Sequence, residues 1–224
     1  MSIALLAGGS LHPSRLAGEA PAPTCYIPAP LIRAAATEFF ASFDPDLRHV
    51  GEALVAEGVE EVLPKGAPVC RAGEVAGHFF YVHRGLLKHY VQRGRHEMTT
   101  WLSLPGDLAA SFASMSTGTP SLETVSAVEE THVLRFGAAV LVRAYAELPG
   151  ADRLGRLITE HYFARMATRL YRNTLLSARD RYVDLLEQTP ELLRDVPLGV
   201  LAGYLGMTQE TLSRVRRQIA ERRA

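Results

Sequence analysis

The run PLGVLAGYLGMTQETLSRVRR, from Pro197 to Arg217, constrains this chain more than any other feature. Two helices that cross closely need a small residue in the middle of the first, and a sharp turn between them favours glycine. Ala202 and Gly206, four residues apart, meet both demands. Leu201, Leu205, Met207, Leu212 and Val215 fall where the small core between two such helices would lie, and Thr208 is placed to cap the second. The run reads as a helix-turn-helix.

That reading leaves Gln209, Glu210, Ser213 and Arg214 on the exposed N-terminal face of the second helix, where side chains can reach base edges. Arg216, Arg217, Arg222 and Arg223 lie further along. The 224-residue chain is formally neutral, but its charge is unevenly spread. From Ala151 onward there are 13 Lys and Arg against 9 Asp and Glu, and the last 17 residues hold five Arg and two Glu. A local basic face of this kind is what phosphate contacts require.

Upstream, Ser177 with Asp180 three residues on has the form of a capping box, which predicts a helix running to about Gln188, and Pro197 suits the first turn of the next. A helical pattern without a breaker runs from Ala151 to Leu176. Along it Leu154, Leu157, His161, Ala164, Thr168 and Tyr171 repeat at alternating three and four, the spacing of a two-stranded coiled coil. Pairing with a second copy is the expectation. A helix packed on its own domain is the alternative, because His161 and Thr168 are polar.

From Val59 to Phe136 the period falls to about two. Short β-branched and aromatic segments are bounded by Lys65-Gly66, Ala72-Gly73, Arg84-Gly85, Arg93-Gly94 and Pro105-Gly106. These predict a rolled antiparallel barrel. Ahead of it, Leu31, Ile32, Ala35, Phe39 and Phe40 share a helical face, which Leu47, Val50, Leu54 and Val55 continue after Pro45. Five of the 13 prolines lie in residues 1–30, a composition that predicts a poorly ordered arm.

Over residues 44–224 the chain resembles the CRP/FNR superfamily, typified by the cyclic-AMP receptor protein. The resemblance rests on the hairpin from Phe79 to Lys88, on Pro105-Gly106-Asp107, and on the tail from Leu201 to Val215. It implies an α+β fold: a β-roll sensor domain over 31–150, a dimerisation helix over 151–176 and a winged helix-turn-helix over 177–224. It implies a homodimeric cytoplasmic transcriptional regulator in which Thr208, Gln209, Glu210, Ser213, Arg214 and Arg217 meet DNA. The expected partners are an inverted-repeat operator in double-stranded DNA, a second copy, and an unidentified small-molecule effector, with RNA polymerase as a further candidate. The matching effector pocket would comprise Gly106, Asp107, Ser121, Leu122, Glu123 and Thr124.

One departure bears on that effector. Cyclic-nucleotide binders of the family hold the phosphate with an Arg followed by Ser or Thr, and here the matching place reads Ser121-Leu122-Glu123. Glu123 would repel an anion. Two cysteines, Cys25 and Cys70, are too few for an iron-sulfur cluster, and His78, His83, His89, His96 and His132 have no paired ligand spacing. No metal, cofactor or catalytic residue is therefore assigned. A haem- or redox-sensing regulator of the same family, a nucleotide-sensing module without DNA binding, and a cupin-type enzyme are the alternatives. The apolar stretch Ile3 to Ala7 is too short to span a bilayer, so no membrane partner is expected.

Overall fold

A computed structural model describes residues 30–94 and 96–221. Apart from Pro30, the arm expected over 1–30 lies outside the described residues, as do Cys25, Arg95, Arg222 and Arg223. The helical layer comprises α1 (Pro30–Ala41), a 3-10 turn at Pro45–Leu47 and α2 (Arg48–Ala56). Pro45 opens the turn behind Asp44, whose side chain accepts from the Asp46 amide at 3.1 Å. Ile32, Ala36 and Phe40 are the buried row of α1, while Leu31, expected on that face, is half exposed.

The roll comprises β1 (Val59–Leu63), β2 (Pro68–Cys70), β3 (His78–Arg84), β4 (Leu87–Arg93), β5 (His96–Ser103), β6 (Leu108–Ala109), β7 (Thr124–Ala127) and β8 (Thr131–Gly137), with α3 (Phe112–Thr117) between β6 and β7. It closes as two antiparallel four-stranded sheets, ordered β1-β8-β3-β6 and β2-β7-β4-β5. The glycines of all five turn pairs have positive φ. β3 reads Phe79-Phe80-Tyr81-Val82 without polar alternation because both its faces are covered. Phe80 and Val82 join Leu87, Val125 and Val133 inside the roll. Phe79 and Tyr81 turn outward under the helical layer, where Phe79 stacks on Phe136 with ring centres 4.6 Å apart.

α4 (Ala138–Glu147) leads to α5 (Ala151–Leu175), an unbroken helix of 25 residues. The tail adds α6 (Ala178–Gln188), α7 (Pro190–Asp195), α8 (Leu198–Tyr204) and α9 (Gln209–Glu221). Ser177 Oγ accepts from the Asp180 amide at 3.2 Å, so the capping box opens α6. Pro197 sits one residue outside α8, in extended conformation. The regular elements of the described part of the tail are all helices, and among the described residues α7 precedes the helix-turn-helix with no strand of a wing. Leu86 and Leu102 of the roll share one core with Leu201, Leu205, Leu212 and Val215, so the tail packs on the roll.

Two stripes run along α5. Leu154 is 1% exposed and Tyr162 is buried, both packed in the core under α1 and α2. Leu154, expected in a dimer seam, belongs to the chain's own core, because the first two turns of α5 close that core. Leu157 is half-buried and His161 is exposed, edge-on to Phe43 at 5.4 Å. Ala164, Thr168 and Tyr171 are exposed, and the apolar side chains of Phe163, Met166, Leu170 and Leu175 are exposed beside them.

Candidate nucleic-acid interface and effector pocket

The helix-turn-helix is built from its turn. Gly206 has φ 63°, a left-handed conformation that lets the chain reverse between α8 and α9, and the Met207 amide returns to the Ala202 carbonyl at 3.0 Å. Ala202, 1% exposed, is the small residue at the crossing. Leu212, Val215 and Ile219 form the buried row of α9 against Leu201 and Leu205. Thr208 Oγ1 accepts from the Thr211 amide at 3.2 Å and caps α9 from its own exposed position.

Gln209, Glu210, Ser213, Arg214 and Arg217 are all exposed on the side of α9 away from that row. Arg214 and Arg217 are exposed and form no ion pair with a described residue. The Gln209 amide lies against Gly199 of α8, where a Cβ would stand 2.3 Å from its Nε2. The six residues expected to meet DNA thus form one surface, with Gln209 at its edge next to α8.

Two arginines that sequence reasoning missed hold this surface in place. Arg181 Nε donates to the Leu205 carbonyl at 2.8 Å, and its Nη1 donates to Leu176 at 2.8 Å and Asn173 at 3.2 Å. It ties the turn to the end of α5. Arg169 Nη2 donates to the carbonyls of Tyr204 at 2.8 Å and Thr99 at 3.1 Å, linking α5, α8 and β5. Their signal in the sequence was weak, since an arginine on a helix reads as solvated until its acceptors are placed.

The residues expected to line an effector pocket divide into separate groups. Gly106 and Leu122 contribute no side-chain chemistry to either cluster: Gly106 is a turn and Leu122 is 86% exposed. Thr124 Oγ1 accepts from the Ala72 amide at 3.1 Å and braces a loop. Asp107 is buried and meets Arg165 of α5, Nη1 to Oδ1 at 2.5 Å and Nη2 to Oδ2 at 3.3 Å. That guanidinium also lies over the rings of Trp101, at 4.9 Å, and Tyr162, at 5.3 Å. The Leu108 amide donates to the Tyr162 hydroxyl at 2.6 Å, and burial pushes the Tyr162 phenol well up.

Ser121 and Glu123 form the second group, with Ser111, Thr100 and His89. Ser121 Oγ donates to Ser111 Oγ at 2.8 Å or to the Glu123 carbonyl at 2.7 Å. Thr100 Oγ1 donates to Glu123 Oε2 at 2.7 Å, and His89 Nδ1 stands 3.5 Å from Oε1. Burial alone would raise the Glu123 pKa. Hydrogen bonding and charge from His89, with bonds from Thr100 and Ser111, outweigh it and hold the carboxyl below its ordinary value. The stretch expected to face an effector phosphate thus carries a carboxylate held by its own donors, and no guanidinium.

Among the described residues no group of three His, Cys, Asp or Glu side chains is arranged to hold a metal. Cys70 is buried, and burial raises its thiol pKa away from the reactive thiolate. No described helix is long and apolar enough to cross a membrane.

Residues 60–147 match the cyclic nucleotide-binding domain family. Among solved structures, the chain is similar to FixK2 from Bradyrhizobium japonicum, at 19% identity and TM-score 0.64 over 74% of this chain and 85% of that one. It is similar to CLP, the c-di-GMP responsive global regulator of Xanthomonas campestris, at 17% identity and TM-score 0.60 over 77% and 91%. CooA from Carboxydothermus hydrogenoformans, solved as a mutant, shares 19% identity at TM-score 0.58 over 74% and 78%. No curated protein matches the chain.

Proposed function

We propose that this chain, which carries a cyclic nucleotide-binding domain on the fold of the CRP/FNR regulators, is a homodimeric, sequence-specific DNA-binding transcriptional regulator of the cytoplasm, and not an enzyme. The observation that carries this reading is the outer face of α9. Glu210, Ser213, Arg214 and Arg217 share one exposed side of a helix whose other side is the core of a helix-turn-helix. An amphipathic surface helix without a partner would need no such row of forked donors and acceptors on a basic tail. Inserted in a major groove, Arg214 can fork onto guanine O6 and N7 and Glu210 can accept from cytosine N4. Arg217, one turn on, suits phosphate.

The dimer is supported by the exposed stripe of Phe163, Met166, Leu170 and Tyr171 on α5, too much apolar surface to leave in water on one helix. A two-fold pairing along this stripe presents both α9 helices on one side. The operator is then an inverted repeat with half-site centres roughly 34 Å apart. As for the effector, the Glu123 cluster favours a ligand without a phosphate at that position, since an anion there would face a half-buried carboxylate.

Selection of the full chain on random duplex DNA tests the reading. Recovered sites with inverted symmetry, lost on deleting residues 197–224, are the expected result. No sequence enrichment at low salt, from a preparation shown to be folded, would overturn it.

A further inference from the structure

A cavity of about 250 Å³ opens between the helical layer and the roll, walled by α1, α2, α3, α4 and α5. It contains none of Gly106, Asp107, Ser121, Leu122, Glu123 or Thr124, so it is distinct from the polar cluster described above. Its floor is aromatic and aliphatic, with Phe40, Phe79, Phe112 and Leu154 packed behind it. No charged side chain and no histidine or cysteine lines it. At its rim on α4 stand Val142, 69% exposed, and Tyr145, half exposed. The side chains that could offer a hydrogen bond are Ser116, Tyr145 and Thr159, and Thr159 already donates to the Gly155 carbonyl at 2.8 Å.

Tyr145 is held over the cavity by a glycine. A Cβ at Gly155 would stand 2.3 Å from the Tyr145 hydroxyl and 2.9 Å from its ring, so only glycine lets the phenol lie across α5. Burial is all that acts on the hydroxyl's pKa, which is pushed up, and no hydrogen bond from a described residue reaches it. A half-exposed hydroxyl thus stands at the rim of an apolar hollow with no partner among the described residues. Charge is excluded from such a hollow by the cost of leaving water without a counter-charge.

We propose that this cavity is a second binding site of the sensor half, for a neutral, mainly apolar small molecule with one hydrogen-bonding group directed at Tyr145. Since an apolar cavity of about 150 Å³ accepts benzene, a ligand here has about ten non-hydrogen atoms. The site is independent of the DNA-reading assignment, because a chain that bound no DNA would still have it.

The test is calorimetric titration of the full chain with 1-octanol and with octanoate, two eight-carbon ligands of which only the second is charged. Saturable binding of 1-octanol with a Kd below about 1 mM, at least tenfold tighter than octanoate, is expected. Leu141→Trp and Ala138→Leu, which fill the cavity with apolar atoms, should abolish it, and Tyr145→Phe should weaken it about twofold to tenfold. Equal binding of octanoate, no saturation by 1-octanol, or undiminished binding to a folded cavity-filling variant would overturn the proposal. So would binding that appears only when residues 1–29 are deleted, which would make the cavity a seat for the chain's own arm. If neither filling variant folds, an unchanged affinity in Tyr145→Phe sinks it.

Discussion

Arg169 on α5 lies over the ring of Tyr204 on α8, 3.8 Å from its centre, while donating to that residue's own carbonyl. The same guanidinium reaches the Thr99 carbonyl of β5. One side chain therefore joins the long helix, the sensor roll and the first helix of the helix-turn-helix. The position of the helix-turn-helix relative to α5 is held by contacts within one chain, and this contact gives the first prediction.

Replacing Arg169 by Met keeps the aliphatic bulk and removes the fork, leaving two carbonyls without their donor. The expected cost is about 1–3 kcal/mol, read by urea unfolding. Arg169→Lys should recover little of it, since an ammonium lacks the planar group that covers the Tyr204 ring while Nη2 bonds the two carbonyls. Full recovery by Lys would show that charge alone matters there.

Glu123 makes stability depend on pH. Its folded pKa is depressed, so it contributes stability at pH above the ordinary carboxyl range, lost as the pH falls through the lowered value. Unfolding free energy measured between about pH 6 and pH 3 should fall more steeply in the wild type than in Glu123→Gln. Parallel curves would mean that the carboxylate is not held by His89 and Thr100 as described.

Cyclic AMP should bind weakly or not at all. The charge-assisted fork that a cyclic phosphate needs, roughly 1.5–3 kcal/mol, is missing at Ser121, and Glu123 adds repulsion. Calorimetry that gave micromolar affinity would contradict this.

On α5, the two stripes should fail differently. Leu170→Glu places a charge in the exposed stripe and should convert dimer to monomer in sedimentation, abolishing DNA binding while leaving the fold intact. Leu154→Glu buries a charge in the chain's own core and should unfold it. A Leu170→Glu variant that stays dimeric at tens of micromolar would place the interface elsewhere.

Under the proposed reading, substitutions of Arg214 and Arg217 should separate base reading from phosphate contact. Arg214→Ala should lose about 1–3 kcal/mol per half-site and relax one base position, whereas Arg217→Ala should weaken all sequences alike and reduce the salt slope by about one. Titrations at several salt concentrations on selected sites distinguish them. An unchanged sequence preference in Arg214→Ala would remove α9 as the reader.

Much of this protein could be read from its sequence, because the signals were local. Glycine at a turn declares positive φ whatever surrounds it, and Gly66, Gly73, Gly85, Gly94 and Gly106 all adopt it, outlining the roll. Ser177 capping α6 and the Ala202–Gly206 pair depend on neighbours within four residues, and both stand as the spacing implied. Where several folded arrangements satisfy one pattern, the sequence alone could not choose. α5 has apolar residues on more than one side, and only packing against α1 and α2 decided that Leu154 and Tyr162 face inward and that Phe163, Met166 and Leu170 do not. The arrangement of the residues expected to line an effector pocket was decided by chain distance as well. Glu123 finds Thr100, 23 residues away, and Asp107 finds Arg165, 58 away, contacts that exist only once the roll has closed and α5 has crossed it. Closure of that kind depends on the sum of burial over the whole domain, which no local motif carries.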